Sequence, residues 1–166
     1  MLFCIMVKKA IIFGITGQDG SYLAEFLIKK KYQVHGIKRR TSTPNTSRID
    51  HIFDSVNFNN KDLIMHHGDL SDSGSLYRII NEVNPDEVYN LAAQSHVKIS
   101  FQIPEYTSEV NAFGPLRILE IIRHYKKKKI KFYQASSSEM FGKSKPPQNE
   151  ATLLKPRSIY AISKVF

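Results

Sequence analysis

Cysteine is nearly missing from this sequence: Cys4 stands alone among 166 residues. An intramolecular disulfide is therefore excluded, and so is any thiolate metal cluster. That usage fits a reducing, cytoplasmic setting, and no metal site is expected. Long apolar runs are missing as well, since no stretch approaches the roughly 18 apolar residues of a membrane-crossing helix. The apolar opening, residues 1–7, lacks the basic leader and small-residue cleavage site of a secretory signal. Acidic residues are scarce, 15 against 24 lysines and arginines, which leaves a formal net charge of +9. There is no internal repeat and no low-complexity segment. The length suits one domain with one sizeable core.

The cations concentrate at 29–31, 38–40 and 126–129. The first and last runs stand where helices should end, and cations there suit the helix dipole. No basic groove interleaved with aromatics and no zinc-finger spacing accompanies them. Neither a nucleic-acid partner nor a membrane partner is expected. Charge of this sign still attracts anionic metabolites such as nucleotides.

Short apolar runs and helical patterns alternate along the chain. Strands are predicted at 9–13, 33–38, 63–66, 87–91 and 130–134. Helices are predicted at 21–30, with Leu23, Phe26 and Leu27 on one face, at 47–53, and at 71–83, capped by Ser71 or Asp72. A long helix over 105–125 carries Val110, Leu116, Leu119 and Ile122 at helical spacing. This alternation predicts an α/β fold, a doubly wound parallel sheet with helices on both faces. Residues 1–7 read as an N-terminal tail and 8–166 as the domain.

Between the first strand and the first helix lies G-I-T-G-Q-D-G (14–20). In a doubly wound sheet such a turn lets backbone N–H groups approach a pyrophosphate at a helix N-terminus. Gly14 would make the turn, Gly17 would permit close approach, and Gly20 would let helix pack on strand. At the end of the second strand, where NAD-preferring folds place an acid, stand Lys38, Arg39 and Arg40. A guanidinium can bind a 2′-phosphate that an acid would repel, so NADP is favoured over NAD. Asp69 and Leu70 follow the third strand and can hold an adenine edge and face. After the fourth strand come Leu91, Ala92, Ala93, Gln94 and Ser95, small enough to let backbone pass a ribose; His96 beside them reads as structural.

The fifth strand ends in Ser136-Ser137-Ser138-Glu139, and Tyr160-Ala161-Ile162-Ser163-Lys164 follows as a Y-x-x-x-K pair. On a helix these two residues share a face, and an ammonium beside a phenol favours the phenolate needed by a general base. Together these features make an NAD(P)-binding Rossmann domain.

The segments GITGQDGSYLAEFL (14–27), VHGIKRR (34–40), GDLSD (68–72), VYNLAAQSHVKISF (88–101), EYTSEVNAFGPLRILE (105–120), FYQASSSEMFGK (132–143) and PRSIYAISK (156–164) carry a resemblance. The chain resembles the extended short-chain dehydrogenase/reductases, and within them the 4,6-dehydratases that act on GDP-mannose. The likeness covers nearly everything beyond residue 7.

It implies a lyase with internally recycled NADP, producing GDP-4-keto-6-deoxymannose on the route to GDP-fucose. Tyr160 would take the sugar 4-hydroxyl proton, with Lys164 tuning the phenol and binding the nicotinamide ribose. Ser137 stands where the family usually has threonine and would hydrogen-bond the 4-oxygen. Glu139 would remove the C5 proton and, with Ser138 where related dehydratases have an aspartate, would also serve as the acid. Implied cofactor contacts are Gly14, Gly17, Gln18, Asp19, Gly20, Arg39, Arg40, Asp69, Leu70, Leu91, Ala93, Ser95, Tyr106 and Lys164.

Members of the family are longer, with further strands and a nucleotide-sugar domain. The chain is therefore expected to be an N-terminal half, its Rossmann domain incomplete, its last helix frayed and its own turnover negligible. A homodimer or homotetramer is implied for the complete form, with the loop 41–47 as a candidate contact. Another extended-family epimerase or reductase and a non-catalytic NADP-binding module remain open as alternatives.

Overall fold

The computed structural model describes residues 7–54 and 62–166. The expected tail therefore lies, apart from Val7, outside the described residues. Strand β1 (Lys9–Phe13) feeds helix α1 (Gln18–Lys29), and β2 (Gln33–Lys38) is followed by the short α2 (Asp50–Asp54). Next come β3 (Leu63–His67), α3 (Ser73–Val83) and β4 (Glu87–Asn90). Two short helices, α4 (Val97–Ser100) and α5 (Pro104–Ser108), then lead through a π-helical turn (Glu109–Phe113) into α6 (Gly114–Arg123). Strand β5 (Lys131–Gln134), a 3₁₀ turn (Ser138–Met140) and α7 (Ile159–Val165) follow.

All strand pairs are parallel, in the order β3-β2-β1-β4-β5. The apolar run of β1 explains its central place. Ile11 and Phe13 point into a core with Leu76, Ile79, Ile80 and Val83 of α3 and Ile118 of α6. Ala10 and Ile12 point the other way, into a core with Ala24, Leu27 and Ile28 of α1. A strand buried on both faces needs no polar alternation. The chain's direction of winding reverses between β1 and β4, which opens a crevice at their carboxyl ends.

Three expectations change. Helix α1 begins at Gln18 rather than 21, because Gly17 acts as the N-cap without a side-chain hydrogen bond to announce it. Its Phe26 is 53% exposed instead of buried, and the Lys30 ammonium lies 4.8 Å from the ring centre. The single long helix over 105–125 is broken at the π-helical turn. Pro115 has no N–H to return to Asn111, and the Gly114 N–H bonds to Glu109 instead, five residues back. The extra residue rotates the buried face onto Ile118, Ile121, Ile122 and Tyr125, leaving Leu116 and Leu119 40% and 44% exposed. Asp72, not Ser71, caps α3, accepting from the N–H groups of Gly74 and Ser75.

Candidate active site

A cleft of about 360 Å³ opens at the carboxyl edge of the sheet, over the β1/β4 crevice. Four of the five strand ends, those of β1 to β4, contribute to it. Gly14, Thr16 and Gly17 come from the β1–α1 turn, Ile37, Lys38 and Arg39 from the end of β2, and Gly68, Asp69 and Leu70 from beyond β3. Leu91 to Ser95 line it from beyond β4, and Tyr106 and Val110 close it from α5 and the π-helical turn.

The three glycines have separate roles. Gly14 sits at φ +79°, and a Cβ there would stand 2.9 Å from the Ala92 backbone nitrogen. A side chain is thus excluded by conformation and by the neighbouring loop. At Gly17 a Cβ would meet only the Gly14 carbonyl oxygen, at 3.2 Å, so this residue faces open cleft. Gly20 is buried, and a Cβ there would collide with the Gly14 carbonyl oxygen and lie 2.7 Å from Ile15 Cα. It packs helix against turn, as expected, and does not line the cleft.

Arg39 donates to the Tyr106 hydroxyl at 2.5 Å, joining the β2 end to α5. On its far side lies a polar recess of about 240 Å³ built by Lys38, Arg39, His67 and the 41–46 loop, including Thr41, Ser42, Thr43 and Thr46. Cations and hydroxyls of this kind suit an anion. Asp69 is held by Ser71, accepting from its N–H at 2.9 Å and its hydroxyl at 2.8 Å.

The loop beyond β4 is clamped from behind. The Gln94 N–H donates to Asn111 Oδ1 at 2.8 Å, and Asn111 Nδ2 donates to the Gln94 carbonyl at 2.9 Å. Asn111 lies in the π-helical turn and is buried. Gln94 Oε1 is a buried acceptor with no hydrogen-bond partner among the described residues. His96 caps α4, its Nδ1 accepting from the Ile99 N–H at 3.4 Å, and so acts structurally.

The expected catalytic residues gather one strand further along the same edge. Ala135, just past β5, donates its N–H to the Asn90 carbonyl at 3.0 Å. Lys164 of α7 donates its ammonium to the Ala135 carbonyl at 2.9 Å and lies 5.9 Å from the Tyr160 ring centre. Burial depresses the Lys164 pKa by desolvating the ammonium. Tyr160 is only 9% exposed. Ser137 caps the 3₁₀ turn, accepting from the Glu139 N–H at 3.2 Å, and α7 packs against that turn. Glu139 is exposed. Helix α7 is capped by Ser158 and continues to Val165, and the Phe166 N–H bonds to the Ile162 carbonyl.

Gly14, Gly17, Arg39, Asp69, Leu70, Leu91, Ala93, Ser95 and Tyr106 thus share one cleft. Ser137, Glu139, Tyr160 and Lys164 lie outside its lining. Gln18 and Asp19 are exposed in the first turn of α1, and Arg40 is exposed beyond β2; none of the three lines the cleft. Sequence reasoning missed Thr16, Asn45 and the Asn111 clamp, although an asparagine inside a helical pattern was a visible irregularity.

A family model described as GDP-mannose 4,6 dehydratase matches residues 11–166. A GDP-mannose 4,6-dehydratase of Vibrio cholerae is 58% identical over 163 residues, covering 97% of this chain and 44% of that protein. GDP-mannose 4,6 dehydratase 1 of Arabidopsis thaliana is 56% identical, covering 95% of this chain and 45% of that protein. Among solved structures, the UDP-glucose 4-epimerase of Thermus thermophilus in complex with NAD superposes with a TM-score of 0.73. It is 25% identical and covers 94% of this chain and 47% of that one. The chain spans less than half the length of the relatives it matches.

Proposed function

The chain belongs to the GDP-mannose 4,6 dehydratase family, and from that premise we propose that it is the cofactor-binding half of a nucleotide-sugar 4,6-dehydratase using NADP. The observation that carries this reading is the Lys164–Ala135 hydrogen bond. It docks the Tyr160-bearing helix at the end of β5, beside the strand ends that build the cleft.

A dinucleotide fits the residues present. Gly14 leaves no room for a side chain, Gly17 faces the open cleft, and the turn they frame leads into a helix N-terminus whose backbone N–H groups suit a pyrophosphate. The unpartnered Gln94 Oε1 supplies an acceptor for a ligand hydroxyl or amide. Arg39 and the recess behind it would take a 2′-phosphate, which is why NADP is preferred here over the NAD seen in the epimerase. Leu70 and Asp69 would hold the adenine. When bound, the nicotinamide supplies reversible hydride transfer.

The remaining steps belong to this chain's side chains. Tyr160 accepts the proton of the sugar 4-hydroxyl, and Lys164 stabilises the phenolate and orients the ribose. The Ser137 hydroxyl, already positioned at the start of the 3₁₀ turn, holds the 4-oxygen. Once C4 is a ketone the C5 proton is acidic, and Glu139 removes it. The same carboxyl group then protonates the leaving C6 hydroxyl, which departs as water, and Tyr160 gives its proton to C5 as the hydride is returned to C6. The exposure of Glu139 leaves it free to meet a substrate.

GDP-mannose is the substrate implied, and a homodimer or homotetramer with contacts through the loop 41–47 is the assembly implied. The test joins this chain to the C-terminal portion of the Vibrio cholerae relative. The joined protein should convert GDP-mannose to its 4-keto-6-deoxy product, and residues 1–166 alone should not. Failure of a well-folded joined protein to release product, with cofactor bound, would count against the dehydratase reading.

A further inference from the structure

Lysine is distributed very unevenly in this fold. Because the strands are parallel, the residues that precede them share the amino edge of the sheet, opposite the cleft. Lys8 and Lys9 open β1, residues 29–31 lead from α1 into β2, and residues 126–129 and Lys131 bring the chain from α6 into β5. Ten of the chain's 17 lysines therefore stand along one edge. Most are exposed. Among the described residues only two of them meet a carboxylate, Lys29 at 3.8 Å from Glu25 and Lys128 at 2.8 Å from Asp86. Helix-dipole stabilisation accounts for a cation or two at a helix end. It does not account for three separate segments supplying cations to the same edge.

Although the sequence alone led to no expectation of a membrane partner, we propose that this edge docks the protein onto an anionic lipid surface. Three observations favour a lipid surface over nucleic acid. Lysines, compact charges suited to a diffuse layer of phosphates, dominate the edge ten to one, and Arg123 at the end of α6 is engaged by Glu120 at 2.8 Å. Apolar side chains stand among them: Val7 is 55% exposed and Phe26 53%. The sequence leading into Lys8 is apolar from residue 1 to residue 7. Surface anchoring needs such a pairing of apolar insertion with a polybasic patch, because either signal alone binds marginally. Docking by the amino edge leaves the cleft at the carboxyl edge open to its ligands.

The test is sedimentation of the full chain with vesicles of phosphatidylcholine containing about 30% phosphatidylserine. Binding is expected, weakening as salt rises. Charge reversal at Lys29, Lys30 and Lys31 (each to Glu), or at Lys126, Lys127 and Lys129, should weaken it by about tenfold or more. Reversal at Lys143, Lys145 and Lys155 makes the same change in net charge away from this edge and should leave binding near that of the unsubstituted chain. Lys→Gln triples replace any charge-reversed variant whose circular dichroism shows loss of fold. Equal weakening by all three triples would reduce the effect to net charge and overturn the proposal. So would absence of sedimentation with the anionic vesicles, or tighter binding of a single-stranded oligonucleotide in the same buffer.

Discussion

The ammonium of Lys164 donates to the carbonyl oxygen of Ala135 at 2.9 Å, tying the last helix to the end of the last strand. A charged hydrogen bond of this kind is worth about 1.5–3 kcal/mol, but burial of the ammonium opposes it, as its depressed pKa shows. The two effects oppose each other in stability. Lys164→Met, which keeps the apolar stem, should change unfolding free energy by less than about 1 kcal/mol. In the joined full-length protein it should lower turnover by about a hundredfold or more. Urea denaturation and product assays measure the two separately. A large stability loss would mean that the bond is chiefly structural.

The glycines of the cradle should separate fold from binding. Gly20→Ala drives a methyl into the Gly14 carbonyl and Ile15 Cα, both backbone atoms that cannot move aside cheaply. Loss of several degrees in Tm is expected, corresponding to about 2 kcal/mol or more. Gly17→Ala meets only one oxygen at 3.2 Å and should leave Tm nearly unchanged. It should nevertheless weaken NADPH binding by about tenfold, because the methyl occupies the approach to the pyrophosphate. Thermal denaturation and fluorescence titration distinguish the outcomes. A Gly17→Ala chain that binds NADPH normally would contradict the assigned cradle.

Cofactor choice should depend on Arg39. Its guanidinium lines both the cleft and the polar recess, and Tyr106 holds it there. Arg39→Ala should weaken NADPH by about ten- to a hundredfold, the worth of one charge-assisted contact, while changing NADH by less than about twofold. Tyr106→Phe should act in the same direction but more weakly, since it frees the guanidinium without removing it. Parallel titrations with both reduced cofactors provide the measurement. Equal losses for NADPH and NADH would remove Arg39 from the 2′-phosphate site.

A pH dependence follows from the histidines inside the sheet. His35 of β2 is buried, its Nδ1 2.9 Å from His66 Nε2 and its Nε2 3.2 Å from the side-chain oxygen of Gln33. With both rings neutral, His35 Nε2–H donates to Gln33 and His35 Nδ1 accepts from His66 Nε2–H, whereas protonating both rings would set two N–H donors against each other. Burial, then the neighbouring His66 and Lys9, push the His35 pKa down from 6.5 to about 4. The unfolded chain therefore binds the proton more tightly than the folded one. Stability is fully present above about pH 6.5 and is lost as pH falls towards 4, by an amount on the order of 3 kcal/mol. His66, lowered chiefly by burial, adds in the same direction. Urea midpoints should fall over that interval, and His35→Asn should flatten the fall.

The parts of the architecture readable from sequence were those with a local physical signal. Ile11 and Ile12 on adjacent positions announced a strand buried on two faces, and the glycines between strand and helix announced the cradle. The break near Asn111 was harder, because apolar residues keep helical spacing on both sides of Pro115 and the one-residue shift shows only once the chain is folded. Leu116 and Leu119, placed on the same face as Val110 by that spacing, are 40% and 44% exposed. Arg39 could be read as an anion contact, but not its bond to Tyr106, since the two are 67 residues apart. Likewise Tyr160 and Lys164 were legible as a pair, whereas the Ala135 carbonyl that anchors Lys164 carries no side-chain signature.

In the proposed reaction Glu139 is the residue that would separate dehydration from simple oxidation. It follows Ser137 beyond the end of β5, its N–H donates to the Ser137 hydroxyl, and its side chain is exposed. On that proposal Tyr160 and Lys164 would take the 4-hydroxyl proton without the carboxylate. Elimination would need it, because the C5 proton must leave before the C6 hydroxyl can depart. Glu139→Gln keeps the shape and removes the base. In the joined full-length protein it should let reduced cofactor accumulate to about one equivalent of sites, while deoxysugar release falls by about a hundredfold or more. Proton exchange at C5 in deuterated water should fall with it. If the variant instead fails to reduce cofactor at all, Glu139 acts before elimination, and the division of labour between it and Tyr160 must be redrawn.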